Sequence, residues 1–117
     1  MVIAQSQPAG ALISQQELLQ RMQSVPDMLL IDVRTADEFS MGHVPGAVNI
    51  PYQELADRLG EVRPHHEKGV VLYCESGRRA GIAEGILREA SLDHIWHLEG
   101  DMSAWRQSKL PIEKAAH

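Results

Sequence analysis

Two apolar runs in the chain contain little or no alternation with polar residues. One occupies residues 28–33 and is interrupted only by Asp32, and the other occupies residues 70–73. Runs of this kind are typical of strands buried on both faces, as in the middle of a parallel sheet. We therefore predict two buried strands. Because a buried carboxylate needs a partner, we expect Asp32 to pair with Arg34 or with a backbone N–H group.

Shorter apolar segments alternate with helical patterns along the rest of the chain. Further strands are predicted at residues 12–13, 47–50 and 95–98, and helices at residues 14–24, 36–40, 53–59 and 80–90 and around Met102 to Trp105, with a polar surface connection at residues 61–69. This alternation predicts an α/β fold with an open, mostly parallel central sheet and helices on both faces. In such sheets the ligand binds beyond the carboxyl ends of the strands.

Length and composition predict one domain of ordinary globular type. The 117 residues are 44% hydrophobic and 23% charged, and we assign residues 1–11 to a loose lead-in, 12–112 to the domain and 113–117 to a tail. A net charge of −5 disfavours a general affinity for nucleic acid or anionic membranes. No run approaches the roughly 20 apolar residues of a membrane span, and residues 1–12 do not resemble a signal peptide. We expect a cytoplasmic protein, or a periplasmic one if a signal peptide is missing from this chain.

The chain contains one cysteine, Cys74, which directly follows the second buried run. A single cysteine excludes an internal disulfide, a Cys-x-x-Cys redox pair and a zinc site built from several thiolates. His43, His94 and His97 have no acidic or thiol companion at ligand spacing, and the other histidine pair lies in the polar connection. Solvated or capping roles are therefore expected for them, and we predict neither a metal nor a cofactor.

The residues after Cys74 favour its thiolate over its thiol. Gly77 supplies the positive φ of a tight turn, so that the N–H groups of residues 75–80 can surround one point at the start of the next helix. Arg78 and Arg79 add two cations, and the helix dipole adds to them. Glu75 would oppose this effect if its side chain pointed inward, and we expect it to face solvent. The alternative, that Cys74 only continues a buried strand, is common for free cysteines, but the glycine and arginines favour an anion site.

Residues 74–80, Cys-Glu-Ser-Gly-Arg-Arg-Ala, resemble the active-site loop of rhodanese sulfurtransferases, whose common form is Cys-x-x-Gly-x-Arg-Ser/Ala. Other segments are similar to the upstream and C-terminal signatures of that family, in the same order: Asp32-Val33-Arg34, Glu38-Phe39, Gly42-His43-Val44, Gly46-Ala47, Asn49-Ile50-Pro51, Leu98-Glu99-Gly100, Trp105 and Leu110-Pro111. Asp101 and Lys109 stand where the family commonly has glycine. Both are distant in sequence from the loop, so we expect them to affect local turns rather than catalysis.

The resemblance implies a single rhodanese-like domain and a persulfide mechanism. Cys74 would take the outer sulfur of a donor such as thiosulfate and pass it to cyanide, to a thiol or to a sulfur-accepting protein, with no metal involved. The implied substrate-binding residues are those of the loop: Glu75, Ser76, Gly77, Arg78, Arg79 and Ala80. Asp32 and Arg34 would either contact the substrate or brace the loop. We expect a monomer or a weak homodimer.

Two other functional classes stay open at this point. Cysteine phosphatases and arsenate reductases also hold a thiolate in a ring of amides, but their loop has five residues between cysteine and arginine. Here four residues separate Cys74 from Arg79, and a smaller ring fits a single sulfur better than a tetrahedral oxyanion. The second class is a persulfide carrier or a partner-binding rhodanese module. A carrier would use the same Cys74 persulfide.

Overall fold

The computed structural model of the chain describes residues 10–115, and it contains one five-stranded parallel sheet. The strands are β1 (Leu12–Ile13), β2 (Leu29–Asp32), β3 (Val48–Asn49), β4 (Val70–Tyr73) and β5 (Ile95–Leu98), in the spatial order β1-β5-β4-β2-β3. All four pairings are parallel, so the predicted α/β sheet is confirmed. Most of the predicted lead-in and the last two residues of the predicted tail lie outside the described residues.

Four α-helices connect or follow the strands: α1 (Gln15–Ser24), α2 (Ala36–Met41), α3 (Arg78–Glu89) and α4 (Asp101–Gln107). Ser14 caps α1 by accepting from the Glu17 N–H at 3.0 Å. Thr35 and Glu38 form a complete capping box at the start of α2. Within residues 10–115 no helix is both long and apolar enough to cross a lipid bilayer.

The segment between β3 and β4 differs from the prediction. Residues Tyr52–Glu61 form a 3₁₀ helix rather than the predicted regular helix, and it is interrupted at Arg58 by a non-helical backbone with φ −120° and ψ 24°. The predicted polar connection at residues 61–69 contains a second 3₁₀ helix, Arg63–Lys68. His66 anchors it, because its Nε2 accepts the N–H groups of Asp93 and His94 at 3.1 Å. This anchoring is long-range in sequence, and local polarity alone does not encode it.

Two apolar layers cover the faces of the sheet, as predicted. One layer joins β2 and β4 to α3 and the first 3₁₀ helix through Leu55, Ala83 and Leu87, all fully buried. The other joins β4 and β5 to α1 and α4 through Leu18 and Trp105. Strand β4 lies between β2 and β5 and is buried along its whole length. The residue that follows β4 therefore lies at the centre of the carboxyl edge of the sheet.

The two positions where the family commonly has glycine keep the glycine-like backbone. Asp101 has φ 55° and Lys109 has φ 56°, in the left-handed region that L-residues other than glycine rarely adopt. The turns before and after α4 are thus formed with strained non-glycine residues. The strained backbone of Lys109 affects only its own turn, whereas the side chain of Asp101 also reaches the cysteine loop, as described below.

Candidate active site

Cys74 follows the last residue of β4 and is 1% exposed. The chain turns immediately, and Gly77 adopts a φ of 116° directly before α3 begins at Arg78. The predicted helix start at residue 80 is therefore two residues late. A side chain at position 77 would be strained at this φ, which explains why the turn requires glycine.

Two backbone amides face the sulfur of Cys74. The N–H of Gly77 donates to Cys74 Sγ at 3.0 Å, and the N–H of Ala80 donates to it at 3.4 Å. The second amide belongs to the first turn of α3, where the N–H groups have no partner within the helix and the helix dipole is positive. The geometry stabilises negative charge on a sulfur atom at this point.

Arg78 and Arg79 have different surroundings although they are adjacent. Arg78 is exposed and forms no ion pair within residues 10–115. Arg79 forms a two-bond ion pair with Glu38 of α2, with N–O distances of 2.6 and 2.9 Å. These hydrogen bonds lower the pKa of Glu38 to about 2. The exposed Ser76 side chain has no hydrogen bond among the described residues.

Glu75 does not simply face solvent, contrary to the expectation from sequence. Its side chain is 36% exposed and accepts two hydrogen bonds from Arg106 of α4, at 2.6 and 2.9 Å. A third hydrogen bond, of 3.3 Å, comes from the buried Arg34. The hydrogen bonds from Arg106 are the main reason that the pKa of Glu75 lies below its usual value. Glu75 thus joins the cysteine loop to α4 and to the end of β2.

Asp32 and Arg34 form a buried ion pair at the end of β2, in the arrangement expected from sequence. Arg34 donates to Asp32 from its backbone N–H at 2.9 Å and from its guanidinium at 2.7 to 3.1 Å. Burial acts to lower the pKa of Arg34, but the hydrogen bonds and charge of Asp32 outweigh it and raise that pKa. Arg34 also donates to the carbonyl of Gly42 at 2.7 Å. With Glu75 as its third partner, Arg34 is placed to brace the loop.

Sequence reasoning missed two residues at this site, Asp101 and His97. The buried Asp101 accepts the N–H of Cys74 at 3.0 Å and the Nε2–H of His97 at 2.7 Å, both with Oδ1. The expectation that His97 lacks an acidic companion is therefore wrong, and Asp101 contacts the cysteine loop as well as its own turn. Two signals were available: the four-residue spacing between His97 and Asp101, and the replacement of a common glycine by a carboxylate.

A cleft adjoins the loop. It has a volume of about 420 Å³ and is lined by Glu38, Met41, Gly42, Arg106, Ile112 and Lys114. Glu38 and Arg106 are the residues that hold Arg79 and Glu75 of the loop. Within residues 10–115, no group of three or more His, Cys, Asp or Glu side chains could hold a metal ion.

Comparison with known proteins identifies several relatives of this chain. A sulfurtransferase from Allochromatium vinosum is 33% identical over 100 residues, which cover 86% of this chain and 92% of that protein. The thiosulfate sulfurtransferase PspE of Escherichia coli is 37% identical over 60% of this chain and 67% of its own length. An HTH-type transcriptional regulator of Mycobacterium tuberculosis is 38% identical over 89% of this chain, but this chain spans only 45% of that protein.

Solved structures show the same fold. A rhodanese-related protein from Thermoplasma volcanium superposes with a TM-score of 0.76 over 90% of this chain and 99% of that one, at 22% identity. A rhodanese with anions from Escherichia coli superposes with a TM-score of 0.63 over 75% of this chain and 99% of that one, at 32% identity. The rhodanese-like domain family matches residues 14–108. The parallel sheet presents one cysteine to an amide-lined loop. Together with this match, that arrangement shows that the chain belongs to the rhodanese-like domain family.

Proposed function

We propose that the protein is a sulfurtransferase that carries a sulfane sulfur as a persulfide on Cys74. The observation that carries this proposal is the pair of amides, from Gly77 and Ala80, that face Cys74 Sγ at 3.0 and 3.4 Å. They stabilise the thiolate that attacks, and their position near the sulfur suits the anionic terminal atom of a persulfide. Relatives named as sulfurtransferases support the same reaction class.

The reaction takes place in two displacements. The Cys74 thiolate attacks the outer sulfur of thiosulfate, a new S–S bond forms, and the S–S bond of the donor breaks as sulfite leaves with its electron pair. A nucleophilic acceptor then attacks the terminal sulfur of the persulfide: cyanide becomes thiocyanate, or a thiolate becomes a persulfide, and the Cys74 thiolate is restored. Charge and sulfur balance in both steps, and the kinetics are ping-pong.

The loop geometry also indicates how the donor is oriented. Arg78 is exposed at the start of α3, so its guanidinium is available for the sulfonate end of thiosulfate. Arg79 is held by Glu38 and has to leave that pair, at least in part, before it binds a donor. Asp32 and Arg34 act as a brace behind the loop, because Arg34 is 1% exposed and its guanidinium already has three partners.

A sulfur carrier that serves a larger acceptor is the second candidate. The cleft beside the loop favours it, since two of its lining residues, Glu38 and Arg106, contact the loop directly. Met41 on the rim is 77% exposed. The cleft is larger than cyanide requires and offers both apolar and charged contacts to a thiol-bearing molecule. The same persulfide serves both candidates.

Mass spectrometry of the intact protein tests the proposal. Incubation with thiosulfate should add one sulfur atom, cyanide should remove it, and Cys74→Ser should show no addition. No mass increase in the wild-type protein would contradict the sulfurtransferase assignment. Parallel phosphatase assays address the phosphatase alternative, and phosphatase turnover above sulfur transfer would favour it. Faster discharge by a thiol-bearing protein than by small thiols would favour the carrier.

A further inference from the structure

A buried carboxylate beside the sulfur site calls for an explanation, because it opposes the binding of anions there. Asp101 is 3% exposed, and its backbone has the unfavourable φ of 55°. Glycine would satisfy the same turn without strain. A charged, strained residue at this position has two costs that glycine lacks, and its contacts with the cysteine loop offset them.

The first turn of α4 holds the backbone on both sides of Cys74. Asp101 Oδ1 accepts the N–H of Cys74 at 3.0 Å, and the N–H of Met102 donates to the carbonyl of Cys74 at 3.0 Å. The N–H of Ser103 donates to the carbonyl of Glu75 at 3.1 Å. The side chain of Asp101 thus supplies the acceptor in a set of three hydrogen bonds that fixes how the cysteine leaves β4.

His97 compensates the charge of Asp101. Its half-buried ring donates to Asp101 Oδ1 at 2.7 Å, and this hydrogen bond is the main reason that the pKa of His97 is raised. Glu84 of α3 acts in the same direction through its charge and is itself paired with Arg88 at 2.9 Å. The ring also lies against the loop, since a Cβ on Gly77 would be 3.4 Å from His97 Cε1 and 3.3 Å from Asp101 Oδ2.

We propose that Asp101 and His97 form a positioning pair for the cysteine loop, in which Asp101 fixes the Cys74 backbone and protonated His97 cancels the charge of Asp101 so that the loop accepts an anion. While His97 is protonated, the pair is neutral. When His97 loses its proton at higher pH, the pair carries one negative charge, which disfavours the thiolate and an anionic donor. The consequence for donor binding rests on the proposed function, whereas the effect on the thiolate does not.

The ultraviolet absorbance of the thiolate tests the charge argument without any sulfur transfer. The chain has one cysteine, so the absorbance reports Cys74 alone once the Cys74→Ser spectrum is subtracted. We expect His97→Gln to move the midpoint of the absorbance change to higher pH by about one unit, as an uncompensated like charge does. Adding Asp101→Asn should return the midpoint close to the wild-type value, because asparagine keeps the oxygen acceptor, removes the charge and tolerates positive φ.

A second variant tests positioning separately from charge. Asp101→Gly relieves the backbone strain and removes the acceptor for the Cys74 N–H, so we expect kcat/KM for thiosulfate to fall about tenfold or more, and by more than any change in the thermal midpoint explains. Full activity in Asp101→Gly would show that Asp101 only forms a turn. An unchanged midpoint in His97→Gln, or a midpoint that stays high in the double variant, would overturn the charge argument. Should the wild-type protein take no sulfur from thiosulfate, the absorbance titration still decides the role of the pair.

Discussion

Replacing Glu38 by glutamine should strengthen the binding of an anionic donor. Glu38 holds Arg79 through two hydrogen bonds of 2.6 and 2.9 Å, so the arginine that belongs to the loop is occupied by a carboxylate. The Glu38→Gln variant removes that charge and releases Arg79 toward the donor. Glutamine keeps an oxygen that can accept from the N–H and hydroxyl of Thr35, as Glu38 does, so the start of α2 should stay intact.

The expected gain follows from the charge that is removed. In water-like surroundings, a unit charge and a dianion interact by about 1 kcal/mol at a separation of about 8 Å, so removing the charge of Glu38 should lower the KM for thiosulfate roughly fivefold. An aromatic thiosulfonate carries half that charge, so its KM should fall only about twofold. The gain has a cost in stability. Hydrogen bonds from Arg79, together with those from Thr35, lower the pKa of Glu38 from 4.5 to about 2. Because a third of the side chain is exposed, we discount this shift to about 1 kcal/mol of folding free energy.

The assay is steady-state transfer to cyanide at constant ionic strength, with both donors. Glu61→Gln is the matched control, because Glu61 also pairs with an arginine through two hydrogen bonds, of 2.7 and 2.9 Å to Arg58. It lies on the segment that leads into β4, whereas Cys74 follows the end of that strand. We expect no change in KM for Glu61→Gln. An unchanged KM for thiosulfate in Glu38→Gln, or an equal change for both donors, would refute the reasoning.

Three further predictions concern stability and the turn. The depressed pKa of Glu38 stabilises the fold above about pH 4.5, and this stabilisation is lost as the carboxylate is protonated. In urea titrations, the free energy of unfolding of Glu38→Gln should therefore approach that of the wild type as the pH falls from about 4.5 to about 2. Gly77→Ala should lower the free energy of unfolding by about 1–3 kcal/mol and slow sulfur uptake from thiosulfate. Alanine is strained at φ 116°, and its Cβ would press against the pair of Asp101 and His97. Wild-type stability and a wild-type uptake rate would contradict this prediction. Asp32→Asn should lower the free energy of unfolding by about 3 kcal/mol, because Arg34 keeps a buried charge without its main partner. A thermal midpoint within a degree or two of the wild type would instead show that Glu75 compensates.

Local patterns in the sequence predict most of the fold. The unbroken apolar run before Cys74 predicted β4, and the apolar run around Asp32 predicted β2, because a strand buried on both faces needs apolar residues at every position. The capping residues Ser14 and Thr35 marked two helix starts for an equally local reason. Hydrophobic period and caps are encoded within a few residues and are therefore readable from the chain.

The polar contacts around the loop could not be predicted in this way. Glu38 and Arg79 are 41 residues apart, and Asp101 and Cys74 are 27 residues apart. Such pairs depend on which strand ends meet at one edge of the sheet and on the direction of each side chain there. The sequence placed the cysteine and its glycine turn correctly, but it showed neither that Arg79 is occupied nor that His97 faces the loop.

The hydrogen bonds from the first turn of α4 to the carbonyls of Cys74 and Glu75 have a consequence for biosynthesis. These bonds close a segment of more than twenty residues, so the cysteine loop cannot reach its final shape until Asp101–Gln107 has been synthesised and has packed. In the nascent chain, the turn after Cys74 therefore stays unfinished until α4 has packed. The strand that precedes the cysteine is synthesised before α4, whereas the cysteine loop is complete only after α4 has packed.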